Sequence, residues 1–126
     1  MERISFISHH GRQVLLIDHT NSSPAEMLQT LAKVESVIAG QARESVLVLC
    51  DFSGAQVDKT AADRMKVVAA KDRPFVQRAA FVQAENIPDV YYRALRSFSA
   101  RDFPNFSTRE EALDWLVSEE QQSAAS

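Results

Sequence analysis

Apolar and polar positions alternate at the start of the chain, where Ile4 and Phe6 are interleaved with Arg3 and Ser5, the period of a half-buried strand. A turn follows at His9-His10-Gly11-Arg12, with Gly11 supplying the permissive backbone. Val14-Leu15-Leu16-Ile17 is then an unbroken aliphatic run that suits a strand covered on both faces. The two strands are expected to form a hairpin at one edge of a sheet. Val46-Leu47-Val48-Leu49-Cys50 and Ala79-Ala80-Phe81-Val82 repeat the pattern of the buried strand. Pro104-Asn105-Phe106 is at best a short edge strand, because proline removes a ladder donor.

Between these runs the period changes to that of a helix. Ser23-Pro24-Ala25-Glu26 combines an N-cap, a first-turn proline and a capping-box acid. Met27, Leu31, Val34 and Ile38 give this helix its buried face, and Gly40 stops it. Asp58 caps a second helix with an Ala61, Met65, Val68, Ala69 stripe, broken before Pro74. Pro88 and Asp89 open a third, with Tyr91, Leu95 and Phe98 on one face. Thr108-Arg109-Glu110-Glu111 is a second capping box, and Ala112, Trp115 and Leu116 anchor the last helix. The order β-β-α-β-α-β-α-β-α predicts an α/β fold with a mixed, mainly parallel sheet of four to five strands, an N-terminal hairpin and about four helices. One domain is expected over residues 1–118, with residues 119–126 a frayed polar tail.

Composition narrows the function classes. The chain has 126 residues, 45% hydrophobic and 25% charged, as expected of one globular domain. A net charge of −3 disfavours a general nucleic-acid binder. The single cysteine, Cys50, cannot form an intramolecular disulfide, and no signal peptide or membrane span is read, so a cytoplasmic location is expected.

Candidate chemistry is sparse. His9 and His10 are adjacent, so they are expected to point in different directions; with His19 they read as solvated hairpin residues, and no metal site is assigned. Cys50, at the end of a buried run, reads as a small hydrophobe. Asp18 and Asp51 each follow a predicted parallel strand and can reach one edge of the sheet, where open α/β sheets bind ligands; capping and loop solvation account for both. The three glycines are far apart and form no phosphate loop, and no Gly-x-Ser-x-Gly elbow is present. The reading is therefore a non-enzyme without a cofactor. From Asp58 to Arg101 there are nine basic against five acidic residues, a weak indication of a basic face. Eight of the ten aromatics lie between Phe75 and Trp115, where Tyr91, Phe98 and Phe103 are candidates for lining an apolar ligand pocket. Of the adjacent Tyr91 and Tyr92, one is expected in the core and the other nearer the surface.

Several stretches together resemble a known family: His10-Gly11-Arg12 before Val14–Asp18, Leu47–Gly54, the Lys71–Val76 turn and the closing Phe106–Leu116 segment. Over roughly Arg3 to Val117 the chain resembles stand-alone STAS-like domains, the SpoIIAA-like group related to bacterial anti-sigma factor antagonists. The resemblance implies a mixed sheet packed by helices and a regulatory, protein-binding role. In those antagonists a Ser at the start of the second helix, in an Asp-Ser-Ser-Gly motif, is phosphorylated to release a partner. The corresponding stretch here reads Asp58-Lys59-Thr60-Ala61, with Thr60 in place of the acceptor Ser and Ala61 in place of the Gly. The resulting expectation is a regulatory module with a protein partner, a surface of Asp51, Ser53, Asp58 and Thr60, and Thr60 as candidate phosphoacceptor. The alternative is a small apolar-ligand or lipid-binding domain using the aromatic-rich C-terminal half. A homodimer through the N-terminal edge, near Ile4 and Phe6, is left open alongside a monomer.

Overall fold

A computed structural model describes residues 3–118; the expected tail at 119–126 lies outside the described residues. The elements run β1 (Ile4–His9), β2 (Arg12–Asp18), α1 (Pro24–Ala39), β3 (Val46–Asp51), α2 (Lys59–Asp72), β4 (Val76–Val82), α3 (Asp89–Ser99), β5 (Asn105–Phe106) and α4 (Arg109–Leu116). The five strands form one sheet in sequence order. β1 pairs antiparallel with β2 over six register pairs, while β2–β3, β3–β4 and β4–β5 are parallel. The sheet is thus mixed rather than mainly parallel, because the hairpin is as long as the longest parallel ladder and β5 contributes only two residues.

The alternation of side chains along the central strands divides the core in two. Leu15, Ile17, Val48 and Phe81 project to the side covered by α1, α2 and α3, where Met27, Leu31, Val34, Met65, Val68 and Leu95 meet them. Val14, Leu16, Leu47, Leu49, Ala80 and Val82 project to the other side, which α4 covers with Ala112 and Leu116. The runs that read as buried strands are buried for this reason: both faces are occupied.

The helix starts follow their caps. Ser23 Oγ accepts from the Glu26 N–H while the Glu26 carboxylate accepts from the Ser23 N–H, and Thr108 caps α4 through the Glu111 N–H. Asp58 caps α2 through the Ala61 N–H at 2.8 Å. β4 begins three residues earlier than its apolar run, with Val76 and Arg78 paired to Val46 and Leu47 and a register irregularity that leaves Gln77 unpaired with β3. In α3 the buried positions are Leu95 and Ser99, whose hydroxyl donates to the Leu95 carbonyl. That places Phe98 off the buried stripe and 55% exposed, beneath the Lys66 ammonium, instead of on the apolar face. Tyr91 and Tyr92 are both half-buried rather than split between core and surface.

Candidate functional site

The carboxyl ends of β2 and β3 lie side by side, with Asp18 and Asp51 register partners. Each aspartate folds its own loop back: Asp18 Oδ1 accepts from the Thr20 N–H at 2.9 Å, and Asp51 Oδ1 accepts from the Ser53 N–H at 2.9 Å and the Ser53 hydroxyl at 2.6 Å. These are the local turns that Asp side chains favour. The two loops also continue the parallel pairing beyond the strands. The N–H groups of His19 and Asn21 donate to the carbonyls of Asp51 and Ser53, and Gln56 N–H donates to Ser22 O.

Arg109, the first residue of α4, closes the edge. Its Nε donates to Asp51 Oδ2 at 2.6 Å, and a terminal guanidinium nitrogen lies 3.3 Å from Asp18 Oδ1. Burial raises the Asp18 carboxyl, but hydrogen bonds from Thr20 and the Arg109 charge outweigh it and hold the group below its ordinary value. Burial likewise disfavours the Arg109 cation, and the bond to Asp51 with the charges of both aspartates overcomes this and raises it. Asp51 is buried, which corrects its assignment to an accessible partner surface: its carboxylate is used within the fold. Ser53 is half-buried and donates inward. Asp58 and Thr60 are exposed, at the cap and second residue of α2. The four residues therefore share one connection, with an anchored inner pair and an accessible outer pair.

His19 is 1% exposed, not solvated, and stacks on Phe52 at 5.2 Å between centroids. Burial first, then the Arg3 charge, lowers its pKa to about 4, against opposing effects of Asp18 and Asp51; it is neutral at neutral pH. Its Nδ1, Thr20 Oγ1 and Ser22 Oγ are buried without hydrogen-bond partners among the described residues. Arg3 braces the same loop by donating to the carbonyls of Asp18 and Thr20, both at 3.0 Å.

His19 also borders a cavity of about 70 Å³ between the sheet and α1–α3, with Cys50, Phe81 and Phe103 in its walls and Asp72 and Arg101 at its margin. An engineered apolar cavity of roughly 150 Å³ takes benzene, so this space is too small for an acyl chain. Of the three candidate pocket residues only Phe103 lines it, stacked on Phe81 at 4.6 Å; Tyr91 packs at the core margin and Phe98 faces solvent. Burial, then the charges of Asp72 and Asp51, pushes the Cys50 thiol up to about 12, so it is no nucleophile near neutral pH.

The basic residues between Lys59 and Arg101 are engaged within the chain. Lys59, Arg64, Lys71, Arg93 and Arg96 form ion pairs; Arg73, Arg78 and Arg101 donate to backbone carbonyls; Lys66 lies over Phe98. No helix among the described residues is long and apolar enough to cross a membrane. At the hairpin turn, His9 and His10 stack with ring centroids 4.2 Å apart and an interplanar angle of 19°, so they do not diverge. The reason is the positive φ of His10, +48°, which takes it out of strand alternation.

Arg109 and His19 are the site residues that local pattern leaves out. Arg109 reads as part of a capping box, and its role depends on a contact with a residue 58 positions earlier. The available signal is an acid at the end of each of two adjacent parallel strands, which calls for a cation when both are brought together. No family model matches the chain, nor does any curated protein or solved structure.

Proposed function

We propose that the protein is a small non-catalytic regulatory module of the STAS-like type, which docks a protein partner through the connection between β3 and α2. The observation that carries this reading is the division of labour on that connection. Asp51 and Ser53 hold it from beneath, and Asp58 and Thr60 stand exposed at the start of α2. A loop fixed by its inner residues presents its outer ones at little entropic cost on binding. Thr60 is the switch. A phosphate there adds about −1.5 to −2 charges at neutral pH, next to free N–H groups of the first helical turn and beside Asp58. Helix order is retained because anions suit this end of a helix, and the docking surface gains negative charge beside Asp58.

The test begins with native mass spectrometry of the protein from its source cells, to identify what co-purifies. Binding of that partner is then compared for wild type, Thr60→Glu and Thr60→Ala. The expected result is unchanged folding of both variants, binding weakened at least about tenfold by Thr60→Glu, equal to about 1.4 kcal/mol, and near-wild-type binding by Thr60→Ala. A co-purified apolar molecule in place of a protein, or equal binding by all three, overturns the reading.

A further inference from the structure

The turn between β1 and β2 meets α4 on the face of the sheet opposite α1–α3. His9 ends β1, His10 and Gly11 form the two-residue loop, and both loop residues have positive φ, +48° and +78°. This is the geometry of a type I′ hairpin turn, which histidine tolerates better than most side chains. The turn stacks the two imidazoles and turns them toward Asp114 of α4. His9 Nε2 lies 2.8 Å from Asp114 Oδ1, and one ring nitrogen of each histidine together with a carboxylate oxygen of Asp114 all lie within 4.8 Å of one another.

We propose that His9, His10 and Asp114 form a binding site for a divalent transition-metal ion of the zinc class, with water completing the coordination. Two imidazole nitrogens and one carboxylate oxygen are a borderline donor set that suits zinc, cobalt, nickel or copper; calcium and magnesium take oxygen ligands. Three protein ligands with a solvent position is the count of an open tetrahedral site. Metal–ligand distances of roughly 2.0–2.1 Å put tetrahedral donors about 3.3 Å apart, so no present separation need close by more than about 1.5 Å. Side-chain rotation suffices for this. His10 and Asp114 are exposed, and His9 keeps 19% of its side chain open to solvent, so the site is reached from outside. The ion replaces a single hydrogen bond between residues 105 positions apart with a coordinate link. It fastens the edge hairpin to the helix that covers the other side of the sheet. The remaining histidine of the chain, His19, is buried in the loop after β2 and serves as an internal control.

The experiment is calorimetric titration of ZnCl₂ into the full chain, with thermal denaturation and histidine-ring ¹⁵N spectra of the same samples. His10→Asn keeps a residue that tolerates positive φ, and Asp114→Asn alters one exposed side chain, so both variants should fold. The expected result is one zinc per chain, a raised Tm, and ring shifts of His9 and His10 but not of His19. Each variant should weaken binding by about tenfold or more. No saturable binding to wild type, binding by both variants as tight as wild type, or shifts confined to His19 overturns the proposal.

Discussion

Replacing Asp72 with Asn should change how the stability of the fold depends on pH, and the sign follows from two buried groups. Asp72 is the last residue of α2 and 7% exposed; burial, then the Glu35 charge, pushes its carboxyl from 3.8 up to about 7. Arg101 does not offset this, since its guanidinium is bonded to the carbonyls of Val76 and Gln77. Between about pH 4 and 7 the native state holds a proton on Asp72 that the unfolded chain has released, so stability falls as pH rises through this window. His19 acts in the opposite sense. Its pKa drops from 6.5 to about 4 on folding, so between these values the unfolded chain binds the extra proton and stability rises with pH.

At about 1.36 kcal/mol per unit, the full spans are about 4 kcal/mol for Asp72 and about 3 kcal/mol for His19, with water access lowering the first toward ~2 kcal/mol. In wild type the two slopes oppose each other and partly cancel from about pH 4.5 to 6.5. Asp72→Asn removes the falling slope and leaves the rising one. Urea denaturation followed by the fluorescence of Trp115, the single tryptophan, reads both proteins at each pH. From about pH 4.5 to 6.5 the variant should gain about 1–3 kcal/mol relative to wild type, because titrations common to both cancel in the difference. Parallel stability curves for the two proteins would refute the reasoning and make Asp72 an ordinary surface carboxylate.

Arg109→Gln should destabilise the fold by about 2–4 kcal/mol in urea, because it strands the buried Asp51 carboxylate beside Asp18; adding Asp51→Asn should recover at least half, and no recovery would deny the pairing its importance. Gly54→Ala should cost about 1–2 kcal/mol, since Gly54 has φ +68° and a Cβ there would lie 2.1 Å from Asn21 Oδ1; an unchanged urea midpoint would show that the loop simply shifts.

The fold was legible where local signals coincide with tertiary ones. The aliphatic runs at Val14–Ile17 and Val46–Cys50 lie in two-sided strands, and the caps at Ser23, Asp58 and Thr108 start helices where their hydrogen bonds require. Legibility failed where a polar residue is buried for a non-local reason. His19 looks like a solvent residue until Phe52, 33 positions on, covers its ring. Asp51 has the composition of a loop start, yet it becomes buried through an arginine from the last helix. Phe98 failed in the opposite direction. Its spacing from Leu95 is helical, but Ser99 satisfies its own hydroxyl and takes the inner position, leaving the larger ring outside.

The Asp51–Arg109 contact belongs to α4. A helix of eight residues is too short to be stable alone in water, so its order must come from what it docks against. Its buried side chains, Ala112 and Leu116, are few, and the cation at its first position opposes the helix dipole. The carboxylates of Asp18 and Asp51 offset that charge at one end. At the other, Arg78 donates to the carbonyls of Trp115 and Leu116 and lies over the Trp115 ring, while Asp114 reaches His9. The helix is therefore held by polar contacts at both ends and by a small apolar contact between them. The same short element joins the edge that anchors the β3–α2 connection to the tip of the opening hairpin. Weakening the Arg109 end should loosen the cover of that sheet face, since only Ala112 and Leu116 of this helix are fully buried.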